Sequence, residues 1–204
     1  EEDIIFGRFA PGSRLVEDTL MARYGAIRHF VRQGLFQLER QGIVLREKNI
    51  GATVRFYSSE EVRQIYEVRE MLTRQAALMI ALPAPPSLIE QLLELQRQYC
   101  AKADAQDLRG IHEANDAFHV ALFSACGNPY LVRSLQDYMN LTLPMRAKNL
   151  ADEEGLAQSR RQHEFMIELL RGRDSWAFAQ LCVDHMQFSK ADYLGRIARD
   201  ESRR

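Results

Sequence analysis

After Phe56 the chain shows no further β-rich segment, whereas everything before it is short, mixed and heavily punctuated. That one-way change of character constrains the fold more than any single motif. Phe9-Ala10-Pro11-Gly12-Ser13 is a turn signal, and Leu15 and Val16 lead into a short helix predicted over Glu17 to Tyr24, which Gly25 closes. A second helix is expected from about Ile27 to Gln41, with Val31, Leu35 and Leu38 spaced for a core and Gly42 as its stop. Ile43-Val44-Leu45 and Thr53-Val54-Arg55-Phe56 read as two short strands around a polar tip. Helix, turn, helix and hairpin in that order describe a winged helix-turn-helix.

The remainder reads as helix throughout. Ser58-Ser59-Glu60-Glu61 opens a long helix to about Ala81, with either serine as cap, acids in the first turn, and Val62, Ile65, Val68, Leu72 and Ala76 spaced for burial. Pro83-Ala84-Pro85-Pro86 breaks it and Ser87 is expected to cap the next helix, roughly 87–103. Further helices are expected near 107–125, 128–147, 153–171 and 174–199, with breaks marked by Asn128-Pro129, Pro144 and Gly172. The expected fold is therefore mainly α: a winged helix-turn-helix over 1–57, then an all-α antiparallel helical bundle over 58–204.

Charge supports the division. The total is only −1, which excludes a uniformly basic nucleic-acid binder, yet residues 1–57 hold nine Lys/Arg against seven Asp/Glu. Between Arg23 and Arg55 seven basic residues face only Glu39 and Glu47, the footprint of a small anion-binding module or of an arginine-rich solvated surface. No apolar stretch approaches the roughly 18 residues a membrane span needs. The N-terminus lacks a signal peptide's basic region, and Cys100, Cys126 and Cys182 are too few and too scattered for a disulfide framework. A soluble cytoplasmic protein with no membrane partner is the expectation.

With these elements placed, the sequence resembles the GntR family of bacterial transcription regulators, in its FadR-like branch with an all-helical FCD effector domain. Phe9-Ala10-Pro11-Gly12-Ser13-Arg14-Leu15 resembles the family's L-x-P-G-x-x-L entry, and Tyr24 to Leu35 aligns without gaps to its recognition segment L-G-V-S-R-T-P-V-R-E-A-L. Leu38 to Val44 resembles L-x-x-x-G-L-V, and Gly51-Ala52-Thr53-Val54 the wing. In the second half, Tyr66 to Leu72 resembles the linker-proximal helix, and Asn115-Asp116-Ala117-Phe118-His119 resembles D/N-x-x-F-H. Gly127-Asn128-Pro129 resembles the G-N-P turn, and His163 and His185 the two remaining histidines. The resemblance implies that the chain begins at or inside the family's first helix. Two departures stand out. Ile27 replaces the usual cap hydroxyl, a loss of about 1 kcal/mol in typical hosts, and His29-Phe30 replaces the usual Thr-Pro pair.

The resemblance implies binding to double-stranded operator DNA as a homodimer, which half-site physics also favours. Arg28 and Arg32 lie one helical turn apart and share a face with His29, so their forks can read guanine or clamp phosphate; otherwise they form local ion pairs. Lys48 and Asn49 at the hairpin tip suit a wing on the minor groove or on phosphate.

In the helical half, Asn115 and His119 are four apart on one face, and His163 and His185 come from two other helices. Three imidazoles and an oxygen suit a divalent metal, zinc first, with nickel or manganese as alternatives. Asp116 is the fallback oxygen ligand, and His112 lies on a similar face. The resemblance further implies a small organic or sugar acid as effector, for which Arg69 and Arg146 are the candidate partners. A three-histidine site can also activate water, so a metal-dependent hydrolase is the rival class, with a DNA-independent metal- or ligand-binding helical protein as the other alternative. The chain, however, has no HExxH spacing and no dedicated general base. No catalytic residue is assigned, and Trp176 with Phe178 reads as packing.

Overall fold

In the computed structural model, residues 1–5, 7–47 and 51–201 are described. The first helix-turn-helix follows its sequence signals closely. Helix α1 spans Glu2–Ile5, strand β1 Arg14–Leu15, α2 Glu17–Tyr24 and α3 Arg28–Arg40. Gly25 terminates α2 at φ 60°, left-handed backbone that glycine adopts without a Cβ penalty. Ile27 caps α3 with no side-chain hydrogen bond, as an apolar residue must.

The strands are displaced from expectation: β2 covers Val44–Glu47, starting one residue later and ending two later, and β3 covers Gly51–Val54, two residues earlier. Ile43 is buried just before β2, and Arg55 and Phe56 have already left the sheet. β1 adds a third strand that the sequence did not announce. The sheet is antiparallel in the order β1-β3-β2, with Leu15 opposite Ala52 and Val44 opposite Val54. Leu15, Leu20, Val31, Leu35, Ile43 and Val54 form the core of this half, joined by Leu143 from the helical half.

Helix α4 runs Ser59–Met79, opened by a reciprocal capping box in which Ser58 accepts from the Glu61 N–H and Glu61 accepts from the Ser58 N–H. Its buried stripe is Val62, Tyr66, Arg69, Thr73 and Ala76, turned slightly from the expected one and carrying an arginine inward. Helix α5 (Pro86–Asp104) is capped by Pro85 rather than Ser87; Pro86 at its first position needs no N–H partner there. Helix α6 spans Leu108–Ser124.

The helix expected over 128–147 is two. Helix α7 (Pro129–Leu141) ends at Thr142, whose hydroxyl turns back onto the Tyr138 and Met139 carbonyls, and α8 (Leu143–Leu150) restarts at once. Pro144 therefore sits in the first turn of a helix, where proline is tolerated, instead of marking the break. Helices α9 (Glu153–Arg171) and α10 (Ser175–Glu201) complete the bundle.

α4 and α10 run antiparallel, joined by Tyr66 with Ser189 and by Arg74 with Gln180. Leu92, Phe118, Leu122, Leu135, Leu170 and Phe178 fill the main core, each worth about 1.5–3 kcal/mol of burial. Phe178 is fully enclosed, but Trp176 is two-thirds exposed and does not pack as expected. Among the described residues no helix is long and apolar enough to cross a membrane.

Candidate functional site

Three helices deliver one imidazole each to a single point in the bundle. α6 brings His119, α9 brings His163 and α10 brings His185, and their ligating nitrogens all lie within 4.8 Å of one another. His119 Nε2 is 3.1 Å from His185 Nε2 and 3.3 Å from His163 Nε2. His163 lies flat on Phe118, ring centroids 4.1 Å apart, which fixes its plane.

The outer nitrogens set the protonation. His163 Nδ1 is 3.0 Å from Gln96 Oε1, and His185 Nδ1 is 2.9 Å from Gln162 Oε1. An amide oxygen only accepts, so each Nδ1 carries the hydrogen and each Nε2 turns a lone pair inward. Gln96 is itself oriented by donating its amide nitrogen to the Arg160 carbonyl at 3.1 Å. His119 Nδ1 is buried without a hydrogen-bond partner. A proton on His119 Nε2 can bridge to only one neighbour; a cation between the three rings satisfies all of them. Burial drives the His119 and His163 imidazoles well below the usual histidine range, and at His119 the charges of Arg146 and Arg69 add to it. Burial likewise pushes His185 down to about 3, helped by Arg69 and Arg146. All three are neutral at physiological pH, the form a metal ion takes.

The remaining expected residues divide. Asn115 is buried in the same pocket, with its amide nitrogen 3.4 Å from Asp116 Oδ1, so its oxygen is the atom left for a cation. Asp116 is turned elsewhere and pairs with Arg146 at 2.7 Å. His112 lines a separate cavity of about 660 Å³ between the two halves, together with Asp116 and Leu143.

Arg69 and Arg146 both line the histidine pocket and both are buried. Arg146 is balanced by Asp116 and also donates to the Met139 carbonyl at 3.1 Å, closing the buried C-terminal end of α7. Arg69 donates to Thr142 Oγ1 at 2.8 Å and has no carboxylate partner among the described residues; its Nε finds no hydrogen bond. Burial, with Arg146 beside it, pulls its pKa down to about 10.

In the first half, Arg28, His29 and Arg32 are exposed on α3. The two arginines do not stand free: Arg28 pairs with Glu17 and Asp18, and Arg32 with Glu17. Lys48 and Asn49 lie outside the described residues.

Sequence reading missed Gln96 and Gln162. Gln96 had a signal, because it occupies an apolar position in the α5 stripe Leu88, Leu92, Gln96, Tyr99, Ala103. Gln162 had none beyond adjacency to His163.

The profile of bacterial regulatory proteins of the gntR family matches residues 1–54, and that of the FCD domain matches residues 64–188. The HTH-type transcriptional regulator YdhC of Bacillus subtilis is 24% identical over 184 residues, covering 89% of this chain and 82% of its own. The HTH-type transcriptional repressor GlaR of Escherichia coli is 24% identical over 194 residues, covering 91% of this chain and 88% of its own. Among solved structures, a GntR transcriptional regulator from Rhodococcus sp. RHA1 superposes with a TM-score of 0.73 at 23% identity, over 95% of this chain and 93% of that one. E. coli McbR/YncC superposes with a TM-score of 0.75 at 18% identity, over 96% and 93%. At these identities the structural likeness is one of fold.

Proposed function

Because the chain belongs to the GntR family of transcription regulators, in the branch that carries an FCD domain, we propose that it is a ligand-responsive regulator whose signal is a small organic or sugar acid. The acid is anchored on a divalent cation held by His119, His163 and His185, with the Asn115 oxygen as fourth ligand. Arg69 and Arg146 receive its remaining negative charge.

One observation carries this reading: among the described residues Arg69 is buried beside three neutral imidazoles with no carboxylate in ion-pair contact, Asp116 being paired with Arg146 instead. A buried, unpaired guanidinium is costly, and the chain gains by retaining it only where an anion arrives. The cation adds charge with the same demand, because none of its proposed ligands is anionic. When bound, it supplies a Lewis-acid anchor for one carboxylate oxygen. Zinc fits first: tetrahedral Zn–N bonds of about 2.05 Å place ligand nitrogens about 3.3 Å apart, close to the 3.1 and 3.3 Å between these rings. Nickel and manganese accept the same donor set with different geometry.

The cavity beside the rings measures about 30 Å³, room for a water or two but not for an acid of several carbons. An acid therefore enters only as the surrounding helices shift. That requirement links occupancy to conformation and, through a dimer, to operator spacing. Operator contact falls to α3, which presents Arg28, His29 and Arg32 as candidates, and to the segment that joins the two wing strands, with Lys48 and Asn49. Repression is the favoured mode, since the E. coli relative is named a repressor. Both curated relatives are transcriptional regulators, so the hydrolase reading is set aside and the protein is not an enzyme.

A thermal-shift screen of carboxylates tests the reading, run on zinc-loaded and on metal-stripped protein and followed by titration against promoter fragments. Acids that stabilise only the loaded form and change DNA affinity support it. Acids that stabilise both forms equally place the effector elsewhere and overturn it.

A further inference from the structure

The two arginines of the recognition helix look equivalent in sequence, one turn apart on one face, and the structure makes them unequal. Arg32 donates from Nε alone, to both Glu17 oxygens at 2.9 and 3.0 Å. That holds the guanidinium by its inner edge, and its side chain remains 60% exposed. Among the described residues the terminal pair Nη1 and Nη2, the fork that grips guanine O6 and N7 end-on, makes no hydrogen bond. Arg28 is held the other way round. Its Nη1 reaches Glu17 at 3.3 Å and its Nη2 reaches Asp18 at 2.5 Å, so its terminal fork is already spent on two carboxylates.

The two acids differ as well. Glu17 is three-quarters covered, and the Arg32 hydrogen bond holds its carboxyl below the usual range. Asp18 is 74% exposed, on the same face that presents Arg28. Duplex DNA approaching α3 meets that carboxylate beside the arginine it would contact. Keeping the Arg28–Asp18 pair sets a negative charge against the phosphates, and breaking it forfeits the pair. Either course removes from binding a contact that a free arginine would add.

We propose that Asp18 is a positioning residue that withholds Arg28 from DNA, leaving Arg32, oriented by Glu17, as the base-reading arginine of this chain. The duplex it disfavours is any that relies on the Arg28 position, and the duplex it selects is one read through Arg32. The inference rests on operator binding by α3.

The test uses the full chain and a mixed-sequence duplex of about 30 base pairs, titrated by fluorescence anisotropy over a series of salt concentrations. Asp18→Asn should tighten binding roughly 3- to 10-fold at low salt and steepen the salt dependence by about one released counterion. Arg28→Ala should cost little in the natural background and much more beside Asp18→Asn, whereas Arg32→Ala should cost heavily in both. A merely structural Asp18 would leave the salt slope unmoved. An unchanged slope in Asp18→Asn, or Arg28→Ala costing as much as Arg32→Ala in the natural background, overturns the inference while leaving DNA binding intact. Failure of both the natural chain and Asp18→Asn to bind overturns the inference and the operator-binding reading together. Binding by Asp18→Asn alone supports the inference in its strongest form.

Discussion

Arg146 Nη1 lies 2.7 Å from Asp116 Oδ1, and through that contact α8 is tied by charge to α6, the helix that carries His119. Burial pushes the Asp116 carboxyl up, but the charge and hydrogen bond of Arg146 outweigh it and hold the group below its ordinary value. Asp116→Asn strips the counter-charge from a guanidinium whose side chain is only 7% exposed. The expected loss is roughly 1–3 kcal/mol, less than for a fully enclosed pair because Asp116 is itself partly open to solvent. The urea midpoint should fall at constant m-value, and a small anion such as malonate should restore part of the loss.

Gln96 and Gln162 touch no cation themselves; they hold the hydrogens of His163 and His185 outward. Gln96→Ala and Gln162→Ala should each weaken zinc affinity about 10- to 100-fold while leaving stoichiometry unchanged. Competition with a chromophoric chelator reads this directly. Unchanged affinity in Gln96→Ala would show that the orientation of His163 is set by its packing on Phe118 instead.

Asp3 accepts from Tyr24, Arg8 and Arg23 at 2.6–2.7 Å. The Tyr24 hydroxyl above all, with the two arginines, outweighs burial and holds its pKa at about 2 against 3.8. A depressed carboxyl contributes stability that is fully present above the unfolded value and lost as pH falls. The stabilisation should therefore fade between about pH 4 and 2. Asp3→Asn should flatten that part of the stability–pH curve, measured by urea titration at each pH, and should cost roughly 1–3 kcal/mol at neutral pH.

Gly42 stands at φ 74°, and a Cβ there would come within 2.6 Å of Leu141 Cδ2 across the interface between the halves. Its carbonyl also accepts from the Tyr57 hydroxyl at 2.7 Å. Gly42→Ala should cost about 1–2 kcal/mol from backbone strain alone, plus a steric part. Leu141→Ala in the same chain should relieve only the steric part, which a double-mutant cycle by chemical denaturation separates.

What the sequence made legible was whatever local chemistry governs. α2 begins at Glu17 and ends at Tyr24 as expected because an acidic first turn and a following glycine act within a few residues. β1 escaped notice because two residues carry no periodicity; only pairing with β3 makes Arg14–Leu15 a strand. The α7–α8 break escaped because threonine is no breaker by itself, and its effect depends on where its hydroxyl bonds. The histidines could be grouped from spacing and resemblance. The partners of Arg28 and Arg32 could not, since Glu17 and Arg32 meet through the packing of two helices at no helical interval.

Leu143 is buried in the core of the winged helix, while Arg146, less than one turn further along α8, reaches into the pocket of the bundle. Tyr57, the last residue before the capped start of α4, is likewise sunk among Val62, Tyr66, Met145 and Met186. The boundary drawn in sequence is thus crossed by a plug from each side. The winged helix and the bundle of this chain are therefore not independent cassettes at this joint. A winged helix grafted from a relative would need a socket shaped for Leu143, and a foreign bundle placed beneath this winged helix would have to bring a plug of its own.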